Sequence, residues 1–338
     1  MPDESEIISK IRQRARKTNS VIVGIGDDAA VVRTSDGKDL IVCCDLVVEG
    51  VHFRRAWAPP KLIGRKALAV TLSDIAAMGA VPRFATISVA LPRDCSSEFI
   101  DEMFEGIFEL ADSCGVSIVG GDTSSSPDSL FIDSTLIGEC ERGRAITRSG
   151  ARAGDMIWVT GDLGASALGL MLLEQGVRLG ESEPSAEIAE RMRWQAVMKH
   201  LAPDPRLQLG VALGERGLAT AMIDISDGLS TDLSHVLDES GVGAVIRAGS
   251  IPIASCVAFL AAGSSTVDPL QLALHGGEEY ELLFTALPEA KAEIEELARE
   301  LGTPITTIGE SVIGGGIQLE REGKLGQIAA GGFEHRIS

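Results

Sequence analysis

The chain has 338 residues, and this length predicts two domains rather than one. Its net charge of −19, with no run of lysine and arginine to offset it, disfavours binding to nucleic acid or to an anionic membrane. We expect a reduced, cytoplasmic protein, because we find no signal peptide, no apolar run of about 20 residues and no CxxC pair among the six cysteines.

The first half of the chain alternates helical patterns with short runs of apolar and β-branched residues. Helices are predicted at residues 5–17, 61–78 and 96–114, and strands at 21–23, 40–44, 84–91, 116–119 and 130–138. Gly79 is expected to end the second helix, and Ser96 or Ser97 to cap the third. The sequence RSGARAGD is rich in turn-forming residues and marks the predicted domain boundary, which divides the chain into residues 1–147 and 148–338.

The second half of the chain continues this alternation. Strands are predicted at residues 156–160, 221–225, 280–285 and 305–308, and helices at 165–175, 186–200, 204–216, 229–240 and 289–301. Glycine-rich turns are expected to close the chain. Because strands and helices alternate in both halves, the predicted fold class is α/β or α+β.

Aspartates occur repeatedly after apolar runs. Most of them follow predicted strands, and one stands inside an otherwise apolar helix; the set is Asp28, Asp45, Asp122, Asp224, Asp227 and, in the helix, Asp74. A single aspartate beside glycine is usually a turn or cap residue. For the whole set metal binding is the better explanation, because aspartate is rarely buried unless it is paired or bound to a metal. Oxygen ligands alone point to Mg²⁺ or a similar hard ion.

Magnesium held by one or two carboxylates usually shares its other positions with substrate phosphates, so we expect a nucleotide substrate. Glycine-rich segments at 24–26, 120–121 and 161–164 are candidate amide donors for those phosphates. The Walker A pattern and a complete GxGxxG are absent, which disfavours a P-loop or a dinucleotide-binding site. No Ser-His-Asp or Cys-His arrangement stands out, so no covalent nucleophile is predicted.

Four further residues each keep two interpretations. His52 is either a structural histidine or a substrate contact, and Arg148 is either an exposed arginine or a phosphate contact. Cys43 and Cys44 are adjacent, and packing residues explain them better than a reactive pair. The residues alone leave these alternatives open.

Eight motifs occur in a fixed order along nearly the whole chain: GIGDDAAV, DLVVEGVHF, KALAVTLSDIAAMGAVP, GGDT, AITRSGARAGD, HLAPDPR, AMIDISDGLSTDL and HGGEEYELLF. With these motifs the chain resembles the thiamine-monophosphate kinase family. The resemblance implies a two-domain fold of the aminoimidazole ribonucleotide synthetase type, with N-terminal sheets that pair into a barrel across a homodimer. It also implies direct, Mg²⁺-assisted phosphorylation of thiamine phosphate to thiamine diphosphate, with ATP bound near the subunit junction.

The resemblance also implies a role for individual residues. The implied Mg²⁺ ligands are Asp28, Asp45, Asp74, Asp122, Asp224 and Asp227, with the backbone carbonyls of Cys43 and Cys44, where the family often has Thr or Ser. The implied ATP contacts are Phe104, Gly121, Asp122, Arg148 and Ser226. The implied contacts to thiamine phosphate are His52, Glu278 and Phe333. A further departure from the family is Glu279, which stands where the family has Asp.

Two rival hypotheses accompany this interpretation. The first is another ATP-using member of the wider superfamily with a different phosphate acceptor. The second is a non-catalytic nucleotide-binding protein that keeps the fold. Retention of the complete aspartate set favours an enzyme over this second hypothesis.

Overall fold

Two β-sheets organise the chain, one in each half. The computed structural model describes residues 21–23, 27–33, 37–178, 187–263 and 267–332. The helix predicted at residues 5–17 and the candidate substrate contact Phe333 lie outside these residues. None of the helices within the described ranges is both long and apolar enough to cross a membrane.

The first sheet has six strands in the order β1-β2-β3-β6-β4-β5. They are β1 (Val21–Val23), β2 (Ala30–Arg33), β3 (Lys38–Val48), β4 (Val81–Leu91), β5 (Ser117–Ser125) and β6 (Phe131–Glu141). All neighbours are antiparallel except β4 and β5, which are parallel. Burial alternates along β6 because one face of the sheet packs against helix α1 (Pro60–Ala77).

Helix α1 is buried on most sides, because it lies between the first sheet, helix α2 (Ser97–Cys114) and elements of the second half. Glycines let α1 and α2 approach closely: a Cβ at Gly64 or at Gly106 would overlap a backbone carbonyl oxygen of the other helix. Helix α2 begins as predicted, since the Ser96 side chain accepts a hydrogen bond from the amide of Phe99 at 3.1 Å. Asp74 is therefore carried by a helix that packing holds firmly in place.

The second sheet has seven strands in the order β13-β12-β9-β11-β7-β10-β8. They are β7 (Met156–Thr160), β8 (Ala221–Asp224), β9 (Gly243–Arg247), β10 (Leu282–Ala286), β11 (Ile305–Val312), β12 (Ile317–Arg321) and β13 (Lys324–Ile328). Only β9 and β12 pair in parallel. The accompanying helices are α3 (Ala165–Glu174), α4 (Ile188–Leu201), α5 (Leu207–Arg216), α6 (Leu229–Ser240), α7 (Ser255–Ala262), α8 (Pro269–His275) and α9 (Lys291–Glu300).

The predicted α/β (α+β) class is confirmed, with mixed sheets in which antiparallel pairs predominate. Several boundaries were wrong. β3 continues past Asp45 and β5 includes Asp122, so these aspartates lie inside strands, because pairing with β6 and β4 extends both strands beyond their apolar runs. The closing segment forms the hairpin β12–β13 where only turns were expected. Strand β9 and helices α7 and α8 were also missed.

Candidate functional site

Three aspartate side chains from distant parts of the chain meet where α1 packs against β8. Asp28 lies between β1 and β2, Asp74 lies in the last turn of α1, and Asp224 is the final residue of β8. Their carboxylate oxygens lie within 4.8 Å of one another. The sequence singled out all three as metal ligands, and the fold brings them together.

This aspartate cluster is electrostatically costly by itself. Burial first, and then the charge of Asp28, raises the pKa of Asp224 to about 8. Burial and the charges of Asp45 and Asp224 raise the pKa of Asp74 well above its usual range. Asp28 and Asp45 each keep one buried oxygen without a hydrogen-bond partner among the described residues. A hard divalent cation fits these donors, because it would satisfy the oxygens and offset their repulsion.

Arg148 contacts the cluster through two adjacent carboxylates. Its Nη2 donates to Asp28 Oδ1 at 2.5 Å, and its backbone amide donates to Asp27 Oδ2 at 3.2 Å. Burial, followed by the charge of Asp28, raises the pKa of Asp27 to about 6. Arg148 is thus partly buried within the site, and the alternative of an exposed arginine is wrong.

Asp227 belongs to a second group of potential ligands. Its carboxylate lies within 4.8 Å of ligand atoms of Asp232 and His235. Asp232 Oδ2 accepts hydrogen bonds from the amides of Asp227 at 3.1 Å and Gly228 at 2.9 Å, which holds the loop that also carries Ser226. Sequence reasoning missed Asp232. Its signal is an aspartate in the first turn of α6, where helix amides lack partners.

Asp122 is separated from the cluster within one chain. The register places Asp122 beside Ser88 and Ser88 beside Asp133, whereas Asp45 is paired with Ser134. Three inter-strand spacings of about 4.8 Å, about 14 Å in all, therefore separate the strands that carry Asp45 and Asp122. Asp122 and Asp45 align with neighbouring residues of β6, Asp133 and Ser134, and neighbouring residues of a strand point to opposite faces. The side chains of Asp122 and Asp45 therefore point to opposite faces of the sheet.

Two of the three candidate substrate contacts, His52 and Glu278, come from different halves of the chain, and both contact Lys66. His52 follows β3, and its Nδ1 accepts a hydrogen bond from the amide of Val48 at 3.0 Å. Glu278 precedes β10 and has a φ of 60°, in the left-handed region. Sequence reasoning missed Lys66, although a lone lysine within the apolar motif KALAVTLSDIAAMGAVP is a signal of a buried counter-charge.

Comparisons with known proteins identify the family of this chain. The families described as AIR synthase related protein, N-terminal domain, and AIR synthase related protein, C-terminal domain, match residues 26–140 and 152–322. A thiamine-monophosphate kinase of Bacillus subtilis is 39% identical over 307 residues, which cover 91% of this chain and 90% of the relative. Another, of Escherichia coli K12, is 35% identical over 337 residues, 98% of either chain. The chain belongs to the thiamine-monophosphate kinase family.

A solved structure supports the same family. The structure described as AaThiL complexed with AMPPCP and TMP matches with a TM-score of 0.83 at 31% identity, over 99% of this chain and 97% of that one. The family expectation and the two-domain fold of the AIR synthase type are thereby confirmed.

One interpretation of the glycine-rich motifs is wrong for this member of the thiamine-monophosphate kinase family. The segment 161–164 was expected to offer amides to phosphates, but these amides bond within the protein. Gly164 donates to Glu279 Oε1 at 2.7 Å, and Gly161 and Leu163 donate to backbone carbonyl groups. The buried side chain of Glu279 packs against the first residues of helix α3, so its carboxylate caps that helix.

Three further positions named by the family resemblance lie in the first half. Phe104 on α2 is partly buried, and its ring centroid lies 6.3 Å from that of Phe108. The thiol of Cys43 is buried 3.6 Å from the carbonyl oxygen of Thr71, whereas Cys44 is exposed. Neither thiol joins the two groups of potential ligands found in the described residues. A role for the backbone carbonyls of both cysteines stays a prediction.

Proposed function

We propose that this chain transfers the terminal phosphoryl group of ATP to the phosphate of thiamine monophosphate, which yields ADP and thiamine diphosphate. The observation that carries the proposal is the buried cluster of Asp28, Asp74 and Asp224 in a member of the thiamine-monophosphate kinase family. A cation-binding cluster suits a reaction in which two anionic phosphates approach each other. A similar protein solved with AMPPCP and TMP supports the same pair of ligands here.

Mg²⁺ is the cation that we assign to the aspartates. The proposed ligands are Asp28, Asp45, Asp74, Asp122, Asp224 and Asp227, with the backbone carbonyls of Cys43 and Cys44. The donor set supports this choice, since the side chains are all carboxylates and two of them keep buried, unpartnered oxygens. When bound, Mg²⁺ neutralises phosphate charge and orients the reacting oxygens.

The residues of the chain bind and position the two substrates. For ATP we propose contacts with Phe104, Gly121, Asp122, Arg148 and Ser226, and for thiamine phosphate contacts with His52, Glu278 and Phe333. The acceptor phosphate has a second pKa of about 6 and is ionised near neutral pH, so no general base is required. An acceptor oxygen bonds to the γ-phosphorus as the bond to the ADP oxygen breaks, and no covalent enzyme intermediate forms.

A homodimer is the active unit in this proposal, with a barrel formed by the N-terminal sheets of both subunits. The sheet face opposite α1 carries the exposed apolar side chains of Leu46, 51% exposed, and Phe84, 47% exposed. Covering such a surface with a second subunit would remove apolar area from water. Asp122 shares this open face. Asp122 lies too far from the aspartate cluster of its own chain to join it. In the dimer, Asp122 of one subunit would therefore join the cluster of the other subunit.

The proposal extends to domain roles and location. Residues 1–147 would bind ATP and Mg²⁺ and form the dimer, and residues 148–338 would form the C-terminal α/β domain. The boundary falls between β6 and β7, which belong to different sheets. All six cysteines are free, which supports a reducing, cytoplasmic location.

Product analysis tests the proposed reaction. The purified chain is incubated with ATP, Mg²⁺ and thiamine monophosphate, and the products are separated by chromatography. We expect equal amounts of ADP and thiamine diphosphate, and no thiamine diphosphate from an Asp74→Asn control. ATP binding without turnover would contradict the proposal in favour of a non-catalytic protein. Turnover only with another phosphate acceptor would contradict it in favour of a different enzyme of the superfamily.

A further inference from the structure

The side chain of Lys66 joins the loops that carry His52 and Glu278, two of the three proposed contacts to thiamine phosphate. Lys66 lies on α1 and is only 3% exposed. Its Nζ donates to the backbone carbonyl of His52 at 3.1 Å and lies 3.0 Å from Glu278 Oε1. One buried charge thus holds loops from the two halves of the chain.

Hydrogen bonds around His52 hold both its ring and its backbone. The Nδ1 atom accepts from the amide of Val48 at 3.0 Å, so the proton of the neutral ring is on Nε2. The carbonyl of the same residue accepts from Lys66. The N–H of the ring is a donor of the kind that binds a phosphate oxygen.

Contacts hold Glu278 as well as His52, and its backbone adopts a conformation that non-glycine residues rarely adopt. Its amide donates to the carbonyl of Ser226 at 2.7 Å, which ties the Glu278 loop to the segment before Asp227. Its Oε2 lies 3.2 Å from Nδ1 of His200. Strain of this kind persists where the surrounding contacts over-determine a conformation, and it is frequent at functional sites.

The charge that balances Glu278 in these contacts comes from Lys66. Burial, reinforced by the charge of Lys66, lowers the pKa of His200 to about 3, so the His200 ring is neutral. The Glu278 side chain keeps 23% exposure. Its Oε1 is buried beside the ammonium of Lys66, while the rest of the side chain keeps contact with solvent. A carboxylate there suits the cationic thiazolium ring of thiamine phosphate.

We propose that Lys66 is a positioning residue for thiamine phosphate. Its ammonium holds His52 and Glu278 at a set separation, so that one meets the phosphate and the other meets the cationic ring. Lys66 itself binds neither substrate nor metal. This inference rests on the proposed kinase function and adds to it the residue that aligns the substrate loops.

The test replaces Lys66 with methionine, which has a similar length and no charge. In the full chain, Lys66→Met should raise the KM for thiamine monophosphate about tenfold and leave the KM for ATP within about twofold. Calorimetry of thiamine monophosphate binding with Mg²⁺ and no nucleotide should show the same weakening. Lys199→Met is the matched control, because it removes another lysine with little exposure, 16%, which is paired with Glu281 at 2.5 Å, and it should leave both KM values within about twofold.

Two results would overturn the role of Lys66: an unchanged KM for thiamine monophosphate, or equal rises in both KM values. Lys66→Gln gives the same readout if the methionine variant does not fold, since glutamine keeps a donor for the His52 carbonyl without the charge. The wild-type chain is assayed in parallel. An inactive wild type overturns the proposed function together with this inference, whereas an active wild type and an unaffected Lys66→Met overturn the inference alone.

Discussion

Arg148 and Asp28 form a charged hydrogen bond, 2.5 Å from Nη2 to Oδ1, which links the start of the second half of the chain to the aspartate cluster. Burial lowers the pKa of Arg148, but the charges of Asp28 and Asp27 raise it by more. The pKa of Arg148 therefore lies above its usual range. The guanidinium therefore stays charged beside a proposed metal ligand.

Arg148→Met should impair the use of ATP. We expect kcat/KM for ATP to fall by about 10-fold to 150-fold, the loss that follows when a charged hydrogen bond of about 1.5–3 kcal/mol is removed. Steady-state kinetics with varied ATP measures this change. Arg152→Met, at an exposed arginine in the same segment between β6 and β7, is the control and should behave as wild type. Equal kinetics for both variants would remove Arg148 from the ATP site.

The metal-free protein should lose stability as the pH rises. Folding raises the pKa of Asp224 from 3.8 to about 8, so between these values the folded chain binds more protons than the unfolded chain. Stability therefore falls as the pH rises through this window. In EDTA, we expect the Tm to drop between about pH 5 and 8, and Mg²⁺ at pH 8 to restore it.

Asp224→Asn isolates this contribution. The variant should show a flatter dependence of Tm on pH in EDTA, a higher metal-free Tm than wild type at pH 8, and no turnover. The exposed Asp128→Asn control should follow the wild-type curve in every respect. Parallel curves of Tm against pH for wild type and Asp224→Asn would show that ionisation of Asp224 does not cause the loss of stability at high pH.

Mixed dimers test whether Asp122 acts on the aspartate cluster of the other subunit. Asp45→Asn and Asp122→Asn homodimers should each be inactive. A heterodimer with one copy of each variant would contain one complete site if Asp122 acts across the interface, and should recover about half of the wild-type activity. If Asp122 acts within its own chain, both sites of the heterodimer are damaged. An inactive, purified heterodimer would therefore reject the arrangement across the interface.

Glu281 should determine stability rather than substrate binding. Its fully buried carboxylate accepts from Arg206 at 2.6 and 2.7 Å, from Lys199 at 2.5 Å and from Thr160 at 2.6 Å. Glu281→Gln leaves two cations poorly compensated and should cost about 3–5 kcal/mol in the free energy of unfolding. Urea denaturation measures this loss, while both KM values of the folded enzyme stay unchanged.

The control for Glu281 is Glu293→Gln, which removes an exposed partner of Arg216 at 3.8 Å. Exposed pairs contribute about 0–1 kcal/mol, so this variant should unfold close to the wild-type midpoint. Equal destabilisation by the two substitutions would contradict the role assigned to Glu281.

Local signals were sufficient for the two helices that carry Asp74, Lys66 and Phe104. Helices α1 and α2 were predicted from apolar periodicity and a serine cap, because both signals arise within a few residues of the chain. The second part of β5 and the hairpin β12–β13 were missed. Their composition is polar or rich in glycine, and they are strands because a neighbouring strand pairs with them.

The amino-acid sequence by itself singled out the candidate carboxylates, through ordered motifs that identify the family. Only the tertiary structure decided how those residues are grouped. It places Asp122 about three strands from Asp45, and it joins His52 to Glu278 through Lys66. Strand register and helix packing set these distances between segments far apart in the chain, and neither leaves a local pattern that the sequence displays.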